Sequence, residues 1–378
     1  MNIPFIDLAA QQSRIRPLLD TRLQKVMDRG DYIMGQEVGE LEKALSARLE
    51  GVHAISCSSG TDALILGLLG LRVNPSDGII VPSFTFAASA EAIAVLGASP
   101  VFAEVEEASF NLDPEQLEGA LAAGKKAGLN MVGIMAVGLF GQPANLPALS
   151  AFAEQHELWL LDDAAQSFGA SWNNTAIGQF GAVTATSFFP AKPLGCYGDG
   201  GAIFTADDTI AEIARACRIH GQGHDKYENV HIGMTARLDT MQAGVLLAKL
   251  EIFDDELIKR QQVAEQYHNL LEDIVRTPKL APGASSSWAQ YVIRLPHGTD
   301  RTALQSAMKE KGVPTAIYYP RPMHTQPVYQ RYPVTLSGLS RTEAMAGDVL
   351  ALPMHPYLEK HTQMQVVDAL ETALSAQS

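Results

Sequence analysis

The 378-residue sequence predicts an α/β protein: a large domain on a mainly parallel seven-stranded sheet, then a smaller C-terminal α+β domain. Three observations predict it. Seven short, nearly continuous apolar runs recur through the chain, as strands covered on both faces require. Helical patterns lie between several of them, and strand–helix alternation implies a parallel sheet. A long helical pattern after residue 237 then connects to a stretch of different rhythm. The division is placed at 1–250 for the large domain, with its N-terminal helical segment, and 251–378 for the small one.

In chain order, the first 45 residues read as helical. Candidate buried strands follow at 53–57, 78–82, 101–105, 131–137, 158–162, 183–189 and 201–205. Asp113-Pro114-Glu115-Gln116 reads as a helix start, with a carboxylate at the cap, proline in the first turn and Gln three residues on. Leu117, Ala120 and Leu121 supply its apolar face. The connector carries Leu238, Met241, Val245 and Leu246 on one side and charge-rich turns from 251 to 262. After a Pro/Gly/Ser loop at 280–287 come a strand at 289–295, a helix at 300–311 and a last helix near 363–374.

Composition excludes several functions. With 28 Lys+Arg against 42 Asp+Glu, the net charge is −14, so no basic excess exists to displace counterions from nucleic acid or to hold an anionic membrane. Cys57, Cys196 and Cys217 lack metal-ligand spacing and read as buried free thiols, and no metal is expected. The N-terminus, with Pro4 and Asp7, has no basic region preceding an apolar one. The longest uncharged apolar stretch, 131–141, is well short of the roughly 20 residues that span a bilayer. A soluble cytoplasmic protein is expected.

Ligands of open α/β sheets gather where strands end, so the turns carry the chemistry. Ser58-Ser59-Gly60-Thr61 opens an apolar helix. It reads as a phosphate cradle of free N–H groups at a helix start, or as an ordinary hydroxyl N-cap. The run at 158–161 ends in Asp162-Asp163. A carboxylate there wants a cation or a protonated heterocycle, or caps a helix. Lys192 sits between an aromatic strand and the turn Gly195-Cys196-Tyr197-Gly198-Asp199-Gly200-Gly201, flanked by Pro190 and Pro193. It reads as an amine nucleophile of lowered pKa or as a solvated lysine. Taken together, a cradle, a strand-end carboxylate and a lysine, in that order, are the parts that hold pyridoxal 5′-phosphate.

Four spaced motifs then make the chain recognisable: Ser59 to Leu64, Pro82-Ser83-Phe84-Thr85-Phe86, Asp162 to Gln166, and Ser187 to Lys192. The chain resembles the sugar-nucleotide aminotransferases, a branch of the fold-type I pyridoxal-phosphate enzymes, nearly end to end. The resemblance implies that Lys192 is the catalytic lysine that carries the cofactor as a Schiff base. It places Asp163 at the pyridine nitrogen, Gln166 near the phenolic oxygen and Phe86 against the ring. Ser59, Gly60, Thr61 and Ser187 fall at the phosphate. It further implies a homodimer with shared active sites, a nucleotide-sugar substrate and an amino donor, glutamate by family habit.

Two departures bear on substrate. Where many relatives read Gly-x-Asn-x-Arg, this chain has Gly233-Met234-Thr235-Ala236-Arg237, so Thr235 replaces the Asn that reaches the neighbour's cofactor phosphate. Arg237 reads as a ligand for substrate carboxylate or phosphate, or as a surface ion pair. Where relatives have His-Tyr-Pro, this chain has Tyr318-Tyr319-Pro320, with His324 following. Tyr319 and His324 are taken as substrate-side candidates, His324 alternatively as a core or solvated histidine. The expected activity is transamination of a keto-sugar nucleotide for glycan synthesis, with a UDP-linked 3-keto sugar such as a 2-acetamido uronate placed first. A 4-keto dTDP-sugar is the alternative. A pyridoxal-phosphate sugar dehydratase, which typically carries His at the lysine position, and a non-catalytic cofactor-binding regulator stand behind it.

Overall fold

The computed structural model describes residues 3–225 and 227–377. Helices α1 (Leu8–Arg29) and α2 (Gln36–Arg48) open the chain. The sheet domain follows as β1 (His53–Cys57), α3 (Gly60–Gly70), β2 (Asp77–Pro82), α4 (Ala87–Val95), β3 (Ser99–Ala103), α5 (Leu117–Lys126), β4 (Asn130–Val137), α6 (Leu146–Gln155) and β5 (Trp159–Asp163). A short hairpin, β6 (Ser171–Trp172) and β7 (Thr175–Ala176), precedes β8 (Val183–Ser187), β9 (Gly201–Thr205) and α7 (Asp208–Cys217). The rest is α8 (Thr240–Leu271), β10 (Tyr291–Arg294), α9 (Arg301–Glu310), α10 (Ser340–Asp348), β11 (Val349–Leu352) and α11 (Lys360–Ser375).

All seven expected strands pair in one sheet, ordered β1-β9-β8-β5-β4-β2-β3. Pairing is parallel from β8 through β5, β4 and β2 to β3, and only β9 runs against its neighbours. Side chains alternate across each strand, and the two faces feed separate cores. Ile55, Leu161 and Ile203 pack with α3, α4 and α7. Ile80, Ile134 and Leu160 pack with α5 and α6, while Ala54, Ala202 and Phe204 meet α2 and the first half of α8. The second half of α8 joins the C-terminal core with β10, β11, α9 and α11.

Several boundaries move for local reasons. The strand expected at 183–189 ends at Ser187: Phe188 N–H still reaches Gly200 O (2.7 Å), but Phe188 O accepts from Cys196 N–H (2.7 Å) in place of a β9 donor. The first turn after Asp113 is a 3₁₀ turn at Pro114–Gln116, where Asp113 caps Glu115 N–H (3.0 Å). Gln116 does not reach back to the cap; its Oε1 accepts from Ser337 (2.6 Å). The hairpin β6–β7, with α10 and β11, has no counterpart in the sequence reading. β6 and β7 have two residues each, β11 four and α10 nine, runs too short to establish a periodicity.

Candidate active site

The site assembles at the ends of β1, β5 and β8, on the face that carries α3 and α4. β5 runs one residue further than expected, so Asp163 is its last residue and Asp162 points to the opposite face. No helix follows, which removes the N-cap reading of this pair. The alternation separates the two carboxylates. Asp162 is fully buried with neither oxygen hydrogen-bonded among the described residues, and burial, helped by the Asp163 charge, pushes it up to about 8. Asp163 accepts from Ser89 Oγ at Oδ2 (2.7 Å) and from Ala165 N–H at Oδ1 (3.2 Å). Burial raises its pKa, and these two donors and the Lys192 charge oppose that shift. Of the two, only Asp163 is equipped to remain an anion facing the lysine.

Lys192 stands in the turn after β8, with its N–H on Phe189 O (2.8 Å). Burial pushes its ammonium down to about 8 against the opposing pull of Asp163. Lys192 is half-buried beside a carboxylate, not a freely solvated surface lysine.

The α3 turn serves both readings given to it. Ser59 is the N-cap, its Oγ accepting from Asp62 N–H (3.0 Å), while the N–H groups of Gly60 and Thr61 lie in the first turn, where no helical acceptor exists. A Cβ built on Gly60 would fall 2.5 Å from Ser187 Cβ, and one on Gly201 2.3 Å from Ser59 O. Glycine is thus required for β8, β9 and the α3 turn to close into one cradle. Such a cradle, with a carboxylate and a lysine of lowered pKa beside it, fits pyridoxal phosphate: N–H groups for the phosphate, an acid for the ring nitrogen, an amine for the aldehyde.

Aromatic residues cover the other side. Phe86 caps α4 and is 55% exposed, its ring 6.1 Å from that of Tyr319. Gln166 Oε1 accepts from Phe140 N–H (2.7 Å) and its Nε2 donates to Tyr319 OH (3.2 Å). The structure so brings Phe86, Gln166 and Tyr319 together across more than 200 residues. Arg237 is carried in by the backbone, as Ser58 N–H donates to Ala236 O (3.1 Å). Among the described residues no carboxylate pairs with Arg237, and its buried Nε has no partner. The ion-pair reading finds no partner among the described residues, and it is the backbone next to Arg237 that lies against Ser58 of the cradle.

His324 stands differently. Its Nδ1 meets Ser83 Oγ (2.7 Å) and its Nε2 meets Glu343 Oε1 (3.0 Å), so both ring nitrogens are engaged in tethering the 3₁₀ turn Met323–Thr325. Thr235 bonds His220 Nε2 (2.8 Å), and Asn229 donates to His220 O (2.9 Å). Sequence reasoning missed Ser89; a small hydroxyl residue in the first turn of the helix after Phe86 was the available signal. The prominent clefts of the single chain lie elsewhere, one lined by Arg276, Arg294 and Asp348.

With this geometry, residues 14–371 match the DegT/DnrJ/EryC1/StrS aminotransferase family. The chain belongs to that family. This DegT-family aminotransferase is 43% identical, over 94% of its length and 96% of the relative's, to the UDP-2-acetamido-2-deoxy-3-oxo-D-glucuronate aminotransferase of Pseudomonas aeruginosa. It superposes on a DegT DnrJ EryC1 StrS aminotransferase from Brucella abortus with a TM-score of 0.95, at 45% identity, over 98% and 99% of the two chains. A Bacillus subtilis structure with the cofactor PMP bound matches at a TM-score of 0.87 and 26% identity, covering 99% of this chain and 85% of that one. The enzyme is a pyridoxal-phosphate-dependent sugar aminotransferase of fold type I.

Proposed function

We propose that this aminotransferase aminates the 3-keto group of a UDP-linked 2-acetamido uronate, with L-glutamate as donor, in the cytoplasmic synthesis of a glycan precursor. The observation that carries the substrate class is Arg237: a guanidinium with no carboxylate partner among the described residues, on a segment bonded through Ala236 to Ser58, suits a uronate carboxylate or a diphosphate. The substrate named for the 43% identical Pseudomonas aeruginosa relative has both. Three buried free cysteines fit a reducing compartment. Among the described residues no helix is long and apolar enough to cross a membrane.

When bound, the cofactor supplies the electrophilic carbon and the electron sink for amino transfer. Asp163 holds a proton at the pyridine nitrogen, with Ser89 and Ala165 keeping its oxygens oriented. Lys192, with a pKa of about 8, takes and returns a proton at the donor's α-carbon near neutral pH. Gly60, Thr61 and Ser187 hold the phosphate, and Phe86 covers the ring. A homodimer completes the site: Phe86, Phe189, Ile33 and Met34 leave apolar side chains exposed, and Ile33 bridges to Asp239, two residues from Arg237.

A panel of keto-sugar nucleotides with glutamate, read out as 2-oxoglutarate formed, tests this. Efficient turnover of the UDP-3-keto uronate above the dTDP-linked 3- and 4-keto sugars is expected. Preferential turnover of a 4-keto dTDP-sugar would overturn the substrate assignment, as would a dehydrated product without 2-oxoglutarate.

A further inference from the structure

We propose that Lys249, on the buried face of α8, is a positioning residue for Lys192. From 243 to 249 every residue of α8 is buried, and Lys249 is the charged one among them, 1% exposed. Its Nζ has no hydrogen-bond partner among the described residues and lies 4.4 Å from the centroid of the Tyr197 ring. A buried ammonium with no acceptor is costly unless something else faces it, and the face of an aromatic ring attracts a cation most strongly when both are out of water. Glu256 and Cys196 act on Lys249 electrostatically, but neither bonds it.

Tyr197 is five residues beyond Lys192 in the same turn. Two helical turns before Lys249, Gln242 closes two bonds on its backbone: Tyr197 N–H donates to Oε1 (2.8 Å), and Nε2 donates to Tyr197 O (3.3 Å). Residues seven apart share a helix face, so α8 grips one residue by backbone and by ring. The rest of the turn is closed on itself. Cys196 N–H and Sγ both donate to Phe188 O (2.7 and 3.0 Å), and Phe188 N–H donates to Gly200 O (2.7 Å). A displacement of Tyr197 therefore passes through this ring of bonds to the root of Lys192. The inference rests on the assignment of Lys192 as the cofactor lysine.

The test compares Lys249→Met, Tyr197→Leu, Tyr197→Phe and the Lys249→Met/Tyr197→Leu double variant. Amide hydrogen exchange of residues 193–200 in the cofactor-free protein reads the grip. The pH titration of the visible band of the cofactor-loaded enzyme reads its effect at Lys192. Lys249→Met and Tyr197→Leu are expected to speed exchange at Cys196 and Tyr197 by about tenfold or more and to shift the band's titration, the double variant being no worse than either single. Tyr197→Phe keeps the ring and loses a hydroxyl that has no partner among the described residues, so it should match the wild type. Wild-type exchange in Tyr197→Leu, or losses that multiply in the double variant, would overturn the proposal. If Lys249→Met fails to fold, Lys249→Gln takes its place, and the two Tyr197 variants, at a part-exposed position, test the ring independently. Lys192→Ala separates the two readings: a band that survives it rejects the cofactor lysine, while the exchange comparison still judges the grip.

Discussion

Ser89 Oγ donates to Asp163 Oδ2 across 2.7 Å, tying the first turn of α4 to the last residue of β5. Both groups are buried, and the hydroxyl also touches Thr85 Oγ1 at 3.1 Å. The bond favours the carboxylate that burial disfavours.

Ser89→Ala should therefore weaken cofactor retention by about tenfold, since a hydrogen bond to a charged group contributes roughly 1.5–3 kcal/mol. Asp163→Asn should cost about a hundredfold or more in kcat, in the range for unpairing a buried charge at roughly 3–5 kcal/mol. Cofactor titration followed by visible absorbance, together with steady-state rates, checks both. A Ser89→Ala loss that persists in full on top of Asp163→Asn in the double variant would show that the hydroxyl does not act through the carboxylate.

Gly60→Ala places a methyl 2.5 Å from Ser187 Cβ, in a region that cannot yield without moving β8. Overpacking of this kind costs about 1–3 kcal/mol. Cofactor affinity should fall by about tenfold or more, measured by fluorescence titration of the cofactor-free protein. Undiminished affinity would remove the phosphate from this turn.

Asp162 gives a pH signature with a definite sign. Its folded pKa is raised to about 8 by burial, with Asp163 adding to the shift. The folded state keeps a proton that the unfolded chain releases above about 4. The stability this contributes is complete below that pH and is lost as pH rises to about 8. Asp162→Asn should flatten the urea-unfolding free energy between about pH 4 and 8 and leave cofactor binding intact. An unchanged slope would mean that Asp162 is ionised in the folded protein.

Arg237→Ala should raise KM for a uronate nucleotide by about 10–100-fold with a smaller change in kcat, as expected on losing a charge-assisted contact. A matching sugar nucleotide without the carboxylate should lose much less. A uniform fall in kcat for both sugars would place Arg237 in the reaction step instead.

Much of this protein is legible from sequence because its signals are local. Strands buried on both faces show as short apolar runs, so all seven were found, two with their observed limits, His53–Cys57 and Gly201–Thr205. The cradle, the strand-end carboxylate and the lysine lie in turns whose residue types announce their chemistry. The resemblance picks Asp163 over Asp162, and strand alternation in β5, which ends at Asp163, puts the two carboxylates on opposite faces.

The rest depends on which distant segments meet. Sequence alone leaves Arg237 between an ion pair and a ligand, because a guanidinium's partner is set by space and not by neighbours in the chain. Only the fold shows it beside Ser58 without a carboxylate. It likewise brings Ser89 to Asp163, Tyr319 to Gln166 and Lys249 to Tyr197. It also engages both nitrogens of His324 with Ser83 and Glu343. Periodicity decided the sheet, and local motifs singled out the candidate reacting groups. Long-range packing decided how those groups are held, charged and partnered, because burial and hydrogen bonding exist only once the chain has closed.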